Sequence, residues 1–200
     1  MQPYAPLGTM YAAACARAKG YEVAIHDVMF METPESIGVA IETFKPEVVV
    51  IYDDGFNYLT KMCLTNMREA AFRMIQIAKD SCCKVCISSS DSTDHFDIYL
   101  EQGADYVILG EGEQTLLDLL NGIQCAETTF NSIPGIAFQD GSKAVVKTLS
   151  RPVLTDLDSL PLPGWDLIDM ESYRSAWMQS SGYFSINMNT TRGCPFKCNW

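Results

Sequence analysis

The sequence predicts an α/β protein built on an open, doubly wound parallel sheet. Three observations carry that expectation. Helical and strand-like segments alternate four times before residue 125, the strand-like runs are short and largely apolar, and Gly or Pro marks several of the junctions.

The first segment is helical, with Leu7, Met10, Tyr11, Ala14 and Ala18 at helical spacing and Gly20 as the stop. Residues 21–27 (YEVAIHD) follow as a strand around Val23 and Ile25. Thr33 is placed to cap a second helix with Pro34 at its first position, and Ile37, Ala40, Ile41 and Phe44 form its inner face. Pro46 ends that helix. Residues 47–52 (EVVVIY) form a continuous apolar run, as expected of a strand buried on both faces. A long helix is expected from about Thr60 to Asp80, with Leu64, Met67, Ala71, Met74 and Ala78 on one stripe. Then come a strand at 84–89 (KVCISS), a helix at 96–102 stopped by Gly103, a strand at 105–109 (DYVIL) and an amphipathic helix at 112–123. In the flavodoxin-like strand order 2-1-3-4-5, these four strands are the second to the fifth. A first strand, interior to the sheet, is therefore expected ahead of Met1.

The pattern changes after residue 125. Residues 133–138 and 144–149 flank Gln139, Asp140, Gly141 and Ser142, a hairpin signature. Pro152, Pro161 and Pro163 mark a linker. Residues 183–189 (YFSINMN) alternate like a strand and lead into a cysteine-bearing loop. The expected organisation is a Rossmann-like domain over 1–125, a hairpin over 126–150, a linker over 151–182, and a strand with its loop over 183–200.

Composition excludes several function classes. Of the 200 residues 48% are apolar and 20% charged, which rules out a disordered, collagenous or coiled-coil chain. No apolar run approaches the ~20 residues that span a bilayer. With 14 Lys and Arg against 25 Asp and Glu, the formal charge of −11 opposes binding to nucleic-acid phosphates or to an anionic membrane surface. Small molecules and proteins remain as partners. Eight cysteines without a secretory signal read as thiols in a reducing cytoplasm, most of them buried. Cys15, Cys63 and Cys125 stand singly and suggest no chemistry.

Cys194 and Cys198 are spaced C-x-x-x-C in the loop after the last predicted strand, between Gly193, which permits a tight turn, and Trp200. Thiolates converging from such a loop suit an iron–sulfur cluster or zinc, although two ligands alone leave two unrelated thiols as an equal reading. The segment RGCPFKCNW resembles the cluster loop of radical S-adenosylmethionine enzymes, whose pattern is C-x-x-x-C-x-x-C. The resemblance extends upstream to members with a cobalamin-binding domain. YAPLGTMY at 4–11 looks like their P-L-G helix start, GADYVILGEGE at 103–113 like their strand-to-loop segment, and LPLPGWDLID at 160–169 like their linker.

The resemblance implies that Cys194 and Cys198 are the first two ligands of a [4Fe–4S] cluster whose open iron chelates S-adenosylmethionine. The family's third cysteine falls at the position after Trp200, so these 200 residues are not expected to build the normal cluster by themselves. It also implies a bound cobalamin, an external electron donor, and reductive cleavage of S-adenosylmethionine to a 5′-deoxyadenosyl radical, with methyl transfer as one outcome. A non-catalytic cobalamin-binding module and a gene fragment stay open as alternatives. Substrate contacts would lie in a barrel following residue 200.

In open α/β sheets, ligands bind beyond the carboxyl ends of the strands. Three predicted loops meet there: Asp53, Asp54 and Gly55; Ser88, Ser89 and Ser90; and Gly110, Glu111 and Gly112. Small residues would admit a corrin ring to the backbone, and hydroxyls and main-chain amides would bind its amide side chains. Ordinary turns are the alternative for the second and third loops. Where the family often has Gly-Gly-Pro-His, this chain has Ser88, Ser89, Ser90 and Asp91. The D-x-H-x-x-G motif that supplies an axial histidine is absent, and His26 and His95 read as structural.

Other readings are weaker. The segment from Gly110 to Thr115 lacks the third glycine of a dinucleotide fingerprint, and Glu111 and Glu113 would repel a pyrophosphate. A phospho-acceptor receiver would need a lysine where Gly110 stands. Cys83 and Cys86 are spaced C-x-x-C, but Cys86 falls inside an apolar strand rather than at a helix N-terminus. The methionines from Met62 to Met74 belong to a core stripe.

Overall fold

A computed structural model describes residues 3–53, 64–125 and 129–192. Its centre is a mixed five-stranded sheet, ordered β1 (Val48–Tyr52), β2 (Lys84–Ser88), β3 (Tyr106–Ile108), β4 (Ile136–Gln139) and β5 (Val145–Lys147). The first three strands are parallel, with Val50 opposite Cys86 and Cys86 opposite Tyr106. β4 and β5 form an antiparallel hairpin that continues the same sheet, β4 pairing with β3 through Val107 and Ala137. The predicted hairpin thus widens the sheet. Its turn is held by the Asp140 carboxylate, which accepts from the amides of Ser142 (2.8 Å) and Ala144 (3.0 Å).

Helices cover both faces, as a doubly wound sheet requires. The strand period of two sorts the side chains. Val85, Ile87, Val107 and Ala137 face a core shared with α2 (Ile37–Phe44), α3 (Leu64–Asp80) and α5 (Phe96–Glu101). Cys86, Tyr106, Ile108, Ile136 and Phe138 face the opposite core, shared with α1 (Leu7–Ala18) and α6 (Glu113–Gln124). Val85, Val107, Ile75 and Leu119 are wholly buried, each stabilising the fold by about 1.5–3 kcal/mol relative to exposure. A short helix α4 (Ser90–Asp94) follows β2, and α7 (Met170–Ser181) follows the linker.

Three local expectations need correction. Residues 21–27 are not a strand: they pair with no strand, and among the described residues β1 is left as the edge of the sheet. Ile25 instead packs with Met10 and Tyr173, and Asp27 accepts from the Tyr173 hydroxyl at 2.5 Å. Residues 183–189 likewise join no ladder; Asn187 donates to the Ala5 carbonyl at 3.0 Å. Thr33 makes no side-chain cap, and a 3-10 turn over Pro34–Ser36 leads into α2. The helix predicted from Thr60 is described from Leu64 onward; its start lies outside the described residues.

The predicted linker is tied down along its length. Arg151 donates to Thr115 (2.7 Å) and pairs with Asp118, and the Leu154 amide donates to the Glu111 carboxylate at 2.8 Å. Gly164 donates to Met10 O at 3.2 Å, and Asp166 pairs with Arg17. Among the described residues no helix is long and apolar enough to cross a membrane.

Candidate functional site

A cleft of about 310 Å³ opens at the carboxyl ends of β1, β2 and β3, lined by Gly8, Tyr52, Asp53, Ser88, Ser89, Ser90, Gly110, Glu111, Gly112, Glu113, Thr191 and Arg192. The parallel strands end in register at this edge, which is why three loops distant in sequence converge. The cleft gathers Asp53, Ser88, Ser89, Ser90, Gly110, Glu111 and Gly112 from the expected set. Asp54 and Gly55 lie outside the described residues, and so do Cys194 and Cys198. Among the described residues, no group of three His, Cys, Asp or Glu side chains is placed to hold a metal.

The loop after β2 is fixed by hydrogen bonds. Ser89 caps α4 by accepting from the Ser92 amide at 2.8 Å, and the Ser92 hydroxyl oxygen accepts from the Ser89 amide at 2.9 Å. Asp91 accepts two bonds from Arg68 (2.7 and 2.5 Å) and one from the Tyr99 hydroxyl (2.6 Å). The Arg68 bonds hold the Asp91 carboxyl below its ordinary pKa, against a smaller opposing effect of burial.

The loop after β3 depends on glycine. Gly110 has φ +77°, a conformation that strains any L side chain. A Cβ on Gly112 would lie 2.5 Å from the Tyr52 hydroxyl oxygen and 3.0 Å from Ser88 Oγ, so no side chain fits there. Tyr52 is the floor against which that backbone rests. Burial, with the Glu113 carboxylate second, raises the phenol's pKa and keeps it neutral.

Glu111 turns its carboxylate to the linker amide of Leu154 while still lining the cleft. Glu113, 6% exposed, pairs with Arg192, whose guanidinium lies 5.9 Å from the Tyr11 ring centre. That hydrogen bond raises the Arg192 pKa further. Beneath, burial and Glu113 push the Cys15 thiol up to about 11. Tyr52, Glu113, Arg192 and Gly8 were not singled out as site residues from sequence. The position of Arg192 beside the cysteine loop was the available signal, but its partner lies 79 residues away.

The donor set discriminates among ligands. Arg192 is the one cation in the described lining and is already paired with Glu113, so the lining offers a phosphate no unpaired cation. Serine hydroxyls and bare glycine backbone suit a neutral ligand rich in amides, as the corrin periphery is. At about 310 Å³ the cleft is near the small end for ligand pockets and would seat one edge or face of a corrin. Among the described residues no histidine lines it; His26 is bonded to Ser36 Oγ at 3.0 Å. Cys86 is fully buried on β2, and burial pushes its thiol up to about 12, as suits a packing residue rather than a reactive one.

No protein-family model matches the chain. An uncharacterized methyltransferase of Pyrococcus horikoshii is 27% identical over 198 residues, covering 96% of this chain and 39% of that protein. The anaerobic magnesium-protoporphyrin IX monomethyl ester cyclase of Rubrivivax gelatinosus is 28% identical, covering 98% and 34%. Among solved structures, the cobalamin-dependent S-adenosylmethionine radical enzyme OxsB, bound to aqua-cobalamin and S-adenosylmethionine, superposes with a TM-score of 0.67 at 18% identity, over 86% of this chain and 23% of that one. The radical S-adenosylmethionine methyltransferase TsrM from Kitasatospora setae, bound to cobalamin and a [4Fe–4S] cluster, gives 0.60 at 16%, over 80% and 29%.

The chain shares its fold with the cobalamin-dependent radical S-adenosylmethionine enzymes. It spans well under half the length of each of these relatives. Within that fold the cleft occupies the strand-end position where open α/β sheets bind ligands.

Proposed function

We propose that this chain is the cobalamin-binding portion of a radical S-adenosylmethionine enzyme, and that the cleft at the ends of β1, β2 and β3 receives the corrin. The observation that carries the reading is the convergence of Ser88, Ser89, Ser90, Gly110 and Gly112 in that one cleft. Gly110 and Gly112 would let the ring approach the main chain, and the serine hydroxyls would bond its amides. Tyr52 would hold the floor rigid and uncharged. Cys194 and Cys198 would supply two thiolates to a [4Fe–4S] cluster that binds S-adenosylmethionine. Bound cobalamin would supply a carrier for a methyl group, and the cluster would take electrons from an external donor.

The domain limits proposed are 1–125 for the Rossmann-like domain, 126–150 for the hairpin that extends its sheet, 151–182 for the linker, and 183–200 for the start of the cluster-bearing domain. Cys15, Cys83 and Cys86 are buried free thiols, which supports a reducing, cytoplasmic setting.

The test is uptake of aquacobalamin by the purified chain, followed by desalting and corrin absorbance. Retention of about one corrin per chain supports the reading, and retention no greater than that of an unrelated protein sinks it. The enzymatic half is tested on the reading frame that includes the codons after Trp200. Cysteine at the next position, followed by iron and sulfide incorporation and formation of 5′-deoxyadenosine with a methylated product, supports it. Cleavage of S-adenosylmethionine without a methylated product removes methyl transfer from the proposal.

A further inference from the structure

Glu113 and Arg192 both line the cleft, and their ion pair is the most deeply buried one there. The Glu113 side chain is 8% exposed and the Arg192 side chain 14%. A buried pair is a poor source of stability, because desolvation offsets most of the attraction; its best-attested use is to fix register between two segments. The two segments here are distinctive. Glu113 opens α6 directly after the glycine loop, where the helix N-terminus favours a negative charge. Arg192 precedes Gly193 and Cys194 and follows a segment, 183–189, that no strand ladder holds.

We propose that Glu113 and Arg192 are positioning residues that dock the chain leading into the cysteine loop onto the wall of the cobalamin cleft. Their pairing sets the separation between whatever Cys194 and Cys198 bind and a ligand lying against Gly112. This rests on the corrin and cluster readings above for its purpose, but the docking itself stands on the pair. Removing the Glu113 charge leaves a buried guanidinium without its counter-ion. Arg192 then escapes to water by lifting its own segment, because that costs no strand pairing, and the sheet stays folded.

The test uses Glu113→Gln, which keeps the shape, and Arg192→Lys, which keeps a cation but loses the planar fork. Two readouts are needed in the chain with and without aquacobalamin. One is tryptic cleavage after residue 192, compared with cleavage elsewhere in the chain. The other is quenching of Trp200 emission by bound corrin, isolated by subtracting the same measurement in Trp200→Phe. In Glu113→Gln we expect cleavage after Arg192 to rise about tenfold while other sites and the melting temperature hold. We also expect the Trp200 quenching, read at saturating aquacobalamin, to fall by about half or more. Arg192→Lys should fall between.

Wild-type protection and quenching in Glu113→Gln would overturn the proposal. So would simultaneous acceleration at all sites with a lower melting temperature, which marks a merely structural pair. Loss of corrin affinity with the tail still protected would also overturn it, by assigning the pair to the ligand's seat. If the wild-type chain takes up no aquacobalamin, the ligand reading fails, and the cleavage comparison alone upholds or overturns the docking.

Discussion

The loops after β2 and β3 stand side by side at one sheet edge and are held by opposite means. The first is bound by side chains: a reciprocal Ser89–Ser92 cap and an Asp91 carboxylate shared between Arg68 and Tyr99. The second has weaker bonding of this kind: long contacts of 3.4 Å from the Gly110 amide to Thr93 and 3.5 Å from the Thr115 hydroxyl to the Glu111 carbonyl, and the Glu111 link to the linker. It keeps its shape because glycine alone fits at one position and suits the backbone at the other. Bonded geometry weakens in steps as partners are removed, whereas sterically enforced geometry fails as soon as one atom is added.

Gly112→Ala should give the largest effect. Its Cβ meets the hydroxyl oxygen of the partly buried Tyr52 at 2.5 Å and its ring at 2.9 Å, so urea unfolding should show a loss of about 3 kcal/mol and aquacobalamin retention should disappear. Tyr52→Phe in the same chain removes the nearer of the two clashing atoms and should restore part of both. Full retention in Gly112→Ala alone would break the steric half of the comparison.

Tyr99→Phe deletes one bond to a charged acceptor from a residue that is 2% exposed. A loss of about 2 kcal/mol is expected, with corrin affinity little changed because Arg68 still holds the loop. Loss of retention equal to that of Gly112→Ala would erase the distinction between the loops. Gly110→Ala meets no atom within 4 Å, so its cost is confined to the backbone, about 1 kcal/mol. Asparagine at the same position should recover part of it.

The smallest effect is on acid stability. The Asp91 pKa is lowered in the folded state from its ordinary 3.8, so the unfolded chain takes up the proton first. The contribution of Asp91 is therefore full above the ordinary value and is lost as pH falls through the lowered one. Urea midpoints followed from pH 6 to pH 3 should decline less steeply in Asp91→Asn than in the wild type. Equal slopes would show that Asp91 does not hold its loop through charge.

The strands were legible as continuous apolar runs, but the run at 105–109 is buried on both faces over Tyr106–Ile108 whereas β1, at the edge of the described sheet, is mostly half-buried. The sequence misled at 21–27, where Val23 and Ile25 alternate as a strand would. Alternation reports a half-buried segment, and whether a ladder forms depends on a neighbour, which β1 does not have among the described residues on that side. The glycine loop was legible from Gly110 and Gly112 themselves. Tyr52, Glu113 and Arg192 were not, because their roles arise from partners remote in sequence. The Ser89 cap was hidden by Ser92, which stands where a capping box usually carries Glu or Gln.

The linker over 151–182 carries the prolines of a spacer, yet Arg151, Leu154, Gly164 and Asp166 are each fastened to the domain it leaves. A chain so fastened surrenders its conformational entropy once, at folding, rather than at each encounter with a ligand. Segments following it then meet the cleft at an effective concentration set by a short strap rather than a wandering tether. The Glu111 carboxylate, touching both cleft and linker, makes the orientation of one depend on the other.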